Sequence, residues 1–147
     1  MDIKKIPVNM LEENCYVVSD DTREAVVIDC GALTDDDRRQ ITDYIEDRRL
    51  QVRHHLCTHM HYDHHETTRY FRETYGAKTC LPQLEADIVR SEESLKNHLF
   101  NFTMGMIRTI PRLQNLVCPV DRVIAFGETE LVFCGVPLQV VRTPGHA

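Results

Sequence analysis

No window of this sequence approaches the roughly 18 consecutive apolar residues of a membrane span, and neither end carries a basic-plus-apolar leader. No membrane partner is expected, and the expected location is the cytoplasm. Positive charge is also in short supply. Lys and Arg number 17 against 23 Asp and Glu, leaving a net charge of −6 that repels polyanions and argues against nucleic acid as a partner. The pairs Arg38-Arg39 and Arg48-Arg49 read as the solvated face of a helix. Cys15, Cys30, Cys57, Cys80, Cys118 and Cys134 form no C-x-x-C pair, which speaks against a redox dithiol; several sit in apolar runs, as reduced thiols packed like small hydrophobes do. Cys57 stands apart because it lies two residues ahead of a histidine cluster. There is no repeat, no low-complexity tract and no H-E-x-x-H helix motif.

What is present fits one domain spanning residues 1–147, since 42% apolar residues fill a real core at this length. Asn14 to Ser19 and Glu24 to Asp29 are strand-like, and Asp20-Asp21 supplies the turn of an antiparallel hairpin. Thr34 with Asp37 resembles a capping box that opens a helix running to about Arg49, with Ile41, Ile45 and Tyr44 facing inward. Gln51 to Cys57 alternates Val52, His54 and Leu56 against Arg53, His55 and Cys57, as a strand does. Residues 64–75 then read as one helix stopped by Gly76, and Ala77 to Leu81 as a short strand. Pro82 suits the first turn of a helix reaching about His98, with Leu84, Ile88, Leu95 and Leu99 on one side. Phe100 to Pro119 is too apolar for a free linker and reads as a cover over a site or an interface. Arg122 to Ala125, Glu130 to Cys134 and Val136 to Arg142 are further strands. This mixture of hairpins and helices is α+β and excludes a purely parallel doubly wound sheet.

The chemistry concentrates at Thr58-His59-Met60-His61-Tyr62-Asp63-His64. Side chains at i and i+2 of an extended chain share a side, so His59 and His61 converge on one ion through neutral imidazoles. Asp63 and His64 follow at once, and four metal-capable groups within six residues are hard to explain by packing. His54, His55, His65 and His98 read as structural or exposed, with His65 the best placed to support a ligand.

The segment from Thr58 to His64 resembles the T-H-x-H-x-D-H signature of the metallo-β-lactamase superfamily, and Thr143-Pro144-Gly145-His146 is similar to its T-P-G-H motif. Val26-Val27-Ile28-Asp29-Cys30-Gly31 also resembles the start of that family, so the likeness covers the whole chain; its plain layout is most similar to the glyoxalase II (hydroxyacylglutathione hydrolase) group. The resemblance implies an αββα sandwich, here truncated to roughly its N-terminal half and incomplete at the C-terminus. It implies a first metal held by His59, His61 and His146, and a second to which Asp63 and His64 contribute. Zinc is the expected cofactor, as one or two ions, with iron or manganese open by ligand type. The implied reaction is hydrolysis of a thioester, ester or amide in a small-molecule substrate by metal-generated hydroxide, which Asp63 helps to orient.

Two departures stand beside these matches. Where the family continues D-H-x-G-G, this sequence has Asp63-His64-His65-Glu66-Thr67, so the close packing that glycine permits must be met in another way. The family's later bridging aspartate and further histidine have no counterpart in the 147 residues. A half sandwich leaves apolar sheet uncovered, and a second copy of the chain is the expected cover. Alternatives to the hydrolase are a mononuclear-iron enzyme like the persulfide dioxygenases and a catalytically inactive metal-binding fragment. β-Lactam hydrolysis is disfavoured by the lack of an export signal.

Overall fold

The computed structural model describes the backbone of residues 1–103 and 117–146, and the side chains of 1–97 and 117–146. Most of the apolar stretch expected to act as a cover falls outside them. The chain opens with strands β1 (Asp2–Val8), β2 (Glu13–Ser19) and β3 (Glu24–Ile28), then helix α1 (Asp35–Asp47) and strand β4 (Gln51–Leu56). Helices α2 (Tyr62–His65) and α3 (Thr68–Tyr75) follow, then β5 (Lys78–Pro82), α4 (Gln83–Ala86) and α5 (Glu92–Thr103). Strands β6 (Arg122–Ile124), β7 (Glu130–Phe133) and β8 (Val136–Gln139) complete the described chain.

Six strands form one sheet in the order β1-β2-β3-β4-β5-β6, and β7 pairs with β8 in a separate ribbon. The first two pairings are antiparallel and the next three parallel. One face carries α1 and α3: Val17, Val27, Ile41, Ile45, Val52 and Phe71 are buried together there. The other face meets the ribbon, where Val18, Val26 and Leu56 pack against Leu131, Phe133 and Val136. The layers are therefore helix, sheet, ribbon, which is α+β as the patterning predicts.

Local signals explain most elements. Thr34 caps α1, its hydroxyl accepting the Asp37 N–H while the Asp37 carboxylate accepts the Thr34 N–H; such a cap stabilises by about 1 kcal/mol. Gly76 ends α3 in the left-handed conformation at φ 66°, which costs a residue without Cβ little.

Four expectations are corrected. Strand β1 was not foreseen. The helix expected over 64–75 is two, α2 and α3, separated at Glu66 and Thr67. The one expected after Pro82 is also two, α4 and α5, so the face drawn through Leu84 and Leu95 is not continuous: Leu95 is fully buried and Leu84 is 59% exposed. Pro82 itself ends β5 and precedes the helix. Finally, the alternation of β4 breaks at Arg53. Ala25 pairs with Val52 but Val26 pairs with His54, so a bulge places Val52 on the helical side with His55 and Cys57, and His54 and Leu56 on the ribbon side.

Candidate metal centre

The parallel strands β3 and β4 both end at one edge, where α/β sheets place their ligands. Asp29 follows β3, and the segment Thr58 to His64 follows β4 before turning into α2. The backbone N–H of Met60, in the middle of this segment, donates to Glu85 Oε2 of α4 at 3.2 Å. Thr143 to Gly145 brings His146 to the same place from beyond the ribbon.

His59, His61 and His146 present ring nitrogens that all lie within 4.8 Å of one another. The ring centroids of His59 and His61 are 4.4 Å apart, and each is 5.0 Å from that of His146. His59 is buried and its Nε2 has no hydrogen-bond partner. Its other nitrogen explains why. The Thr58 hydroxyl, 2.8 Å from Asp29 Oδ2, gives its single proton to that carboxylate. Its oxygen, 3.0 Å from His59 Nδ1, is left to accept, so Nδ1 carries the proton and Nε2 offers a lone pair to the cluster. Burial, reinforced by the nearby His64 and His61, lowers the His59 pKa to about 4, which keeps that lone pair available at neutral pH. Three imidazoles, one of them buried and aimed inward with no protein partner, fit a divalent ion of the zinc type.

A second group lies beside the first: Glu13, Asp29 and His64, whose ligand-type atoms are also within 4.8 Å of one another. Asp29 here has its oxygens engaged by the Thr58 N–H at 2.7 Å and the Thr58 hydroxyl, and His64 Nδ1 approaches Oδ2 to 3.1 Å. Glu13 Oε1 and His64 Nδ1 are, like His59 Nε2, buried without a hydrogen-bond partner, so this group too could hold an ion, while His64 Nε2 lies 3.5 Å from Asp63. Burial disfavours the charged form of His64, but Asp29, Asp63 and Glu13 outweigh that effect and its pKa is raised. Glu13 is pushed up to about 7, chiefly by burial. Asp63 stands outside both clusters and touches the site through His64. Glu13 and Asp29 escaped the sequence reading as functional groups. Asp29 carried a usable signal, a carboxylate at a strand end two residues before Gly31, and it adopts a positive φ of 50° that aspartate tolerates better than most residues.

Behind the site, His55 and His65 are fully buried, as a structural reading expects. Thr68 Oγ1 lies 2.9 Å from Nδ1 of each, and His65 is 3.2 Å from Cys57 Sγ and 3.5 Å from Cys118 Sγ. This network ties β4 to α2 and α3. The close packing expected of glycine after Asp63-His64 is met from the opposite side: a Cβ on Gly31 would fall on the Asp63 backbone. Thr67 meanwhile bonds through its hydroxyl to the Cys30 carbonyl and accepts the Ala32 N–H at 3.3 Å.

A histidine cluster that could hold a metal ion lies at the ends of parallel strands in a helix-sheet-ribbon α+β fold. The chain belongs to the metallo-beta-lactamase superfamily, whose family profile matches residues 9–146. It is 36% identical over 151 aligned positions to an uncharacterized protein of Mycobacterium leprae, covering 99% of this chain and 63% of that protein. Over 78 positions it is 30% identical to the hydroxyacylglutathione hydrolase GloC of Haemophilus influenzae, covering 53% of this chain and 35% of that one. The structure of the B3 metallo-beta-lactamase BLEG-1 matches with a TM-score of 0.73 at 25% identity, over 99% of this chain and 63% of that one. The chain thus spans a little under two thirds of the length of the Mycobacterium leprae protein and of BLEG-1.

Proposed function

We propose that this chain carries the metal-binding part of a hydrolase that cleaves a thioester, ester or amide. The observation that carries the reading is the buried, unpartnered Nε2 of His59, turned towards His61 and His146. A divalent ion held by these three supplies Lewis acidity and lowers the pKa of water. The residues then divide the work. The Asp29–Thr58 pair fixes the tautomer of His59. Asp63, partly buried beside His64, orients the attacking water and accepts its proton on this reading. The partial likeness to a hydroxyacylglutathione hydrolase favours a thioester within this group. Zinc suits the nitrogen-rich set, in the cytoplasm, and a second copy of the chain is the proposed cover for apolar surface left exposed on the ribbon, such as Val132.

The test is turnover of S-lactoylglutathione and of a simple aryl ester by the chain loaded with zinc, alongside a His59→Ala variant. Zinc-dependent turnover lost in the variant supports the reading. If iron is retained in preference to zinc and persulfide-dependent oxygen uptake replaces hydrolysis, the oxygen-chemistry reading takes its place; metal binding without either reaction leaves a binding module.

A further inference from the structure

A cleft of about 760 Å³ runs from Thr58, His59 and His146 outward between α4, β6 and the ribbon. Its walls are largely apolar: Leu84, Ile124, Phe126, Leu138 and Val140 all face it. Two of them, Leu84 and Phe126, are large apolar side chains left more than half exposed. A cleft of this shape takes the body of a small molecule and uses a few polar groups to orient it.

The charged groups along the cleft are not equivalent. Glu85 accepts the Met60 N–H at 3.2 Å, and Glu128 accepts the Ala125 N–H at 3.2 Å while pairing with Arg122. Both carboxylates are therefore committed to the protein. Arg142 is different: among the described residues no carboxylate pairs with it, and its guanidinium lies over the Phe126 ring, 5.0 Å from the centroid. A guanidinium held over an aromatic ring still carries a fork of N–H donors that can match a carboxylate. Arg142 and His146 are four positions apart, so their Cα atoms are at most about 14 Å apart, within reach of one small substrate.

We propose that this cleft binds a substrate with an apolar body and a carboxylate, and that Arg142 holds the carboxylate while the bond to be cleaved lies at the histidine cluster. The assignment of the reacting end rests on the hydrolase reading above; the binding preference does not.

The experiment measures binding of a fluorescent amphiphile, dansyl-undecanoic acid, and of its uncharged primary amide to the whole chain with metal removed by a chelator. The acid binds about tenfold more tightly than the amide. Arg142→Ala abolishes that advantage with the amide unaffected, Arg142→Lys restores part of it, and Phe126→Ala weakens both probes. Equal affinity of the unsubstituted chain for acid and amide, failure to bind either, or a preference that survives Arg142→Ala overturns the proposal. Because no turnover is read, an absence of thioesterase activity would sink the hydrolase reading and leave this preference standing.

Discussion

Asp29 grips Thr58 twice, accepting its backbone N–H on Oδ1 at 2.7 Å and its hydroxyl on Oδ2 at 2.8 Å. The two residues are distant in sequence and meet because β3 and β4 are parallel neighbours that end together. This pair of hydrogen bonds does more than close a loop. It consumes the only proton of the Thr58 hydroxyl, and so decides which nitrogen of His59 faces the metal position.

Thr58→Val keeps the shape of the side chain and removes the hydroxyl. His59 Nδ1 then loses its acceptor and its tautomer is no longer imposed. Zinc affinity, measured by competition with a chromogenic chelator, falls about 10- to 100-fold, as it does when a partner supporting a metal-binding histidine is lost. Thr58→Ser retains the relay and stays near the unsubstituted value. Unchanged affinity in the valine variant would mean that something else sets the tautomer.

Acid stability of the metal-free chain separates two buried groups of opposite sign. Burial, with the His65 charge nearby, lowers the His55 pKa from 6.5 to about 3. Between those values the unfolded chain binds the extra proton, so His55 costs stability as the pH falls from 6.5 towards 3 and has no effect above that window. Glu13, raised from 4.5 to about 7, is protonated in the fold when the unfolded chain is not, and it adds stability as the pH falls through that range. The two effects oppose each other between 4.5 and 6.5, and below 4.5 that of His55 persists. Urea unfolding at a series of pH values therefore shows a shallower loss of stability for His55→Gln than for the unsubstituted chain, by up to about 1.4 kcal/mol per pH unit. Identical slopes would place His55 in contact with solvent.

The parts legible in the sequence were those written locally. The Thr34–Asp37 cap and the turn at Asp20-Asp21 are short-range signals, and the histidines that meet at the site stand in two compact motifs. Strand β1 was hidden because only Ile6 and Val8 of it are buried, and Pro7 argues against a strand except at a sheet edge, where β1 lies. The bulge at Arg53 is a property of pairing with β3, which residues 51–57 alone do not reveal. Glu13 and Asp29 stand far from the histidine motifs in sequence, with no metal-type spacing to mark them. What marks them is burial beside His64, and that exists only once the sheet has formed.

Gly31 offers the sharpest test of how the fold positions the site. Its N–H lies 3.4 Å from Glu13 Oε2 and its carbonyl accepts the Asn9 side-chain amide at 2.9 Å, so the peptide is held from both sides. The neighbouring Cys30 N–H donates to the His64 carbonyl at 2.8 Å, which draws the backbone of α2 onto the loop after β3. A methyl group on Gly31 meets the Asp63 backbone, and no flexible side chain is available to give way. Gly31→Ala therefore forces α2 outward, carrying Asp63 and His64 with it. Overpacking of this kind destabilises by about 1 to 3 kcal/mol, read as a lower denaturation midpoint. On the hydrolase reading, hydrolysis falls more than zinc affinity does, because Asp63 and His64 sit at the clash, whereas of the three clustered histidines only His61, the N-cap of α2, is joined directly to the displaced helix. Loss of zinc binding in proportion to activity would show that the displacement spreads through the whole centre, and a variant with unchanged stability would refute the close approach itself.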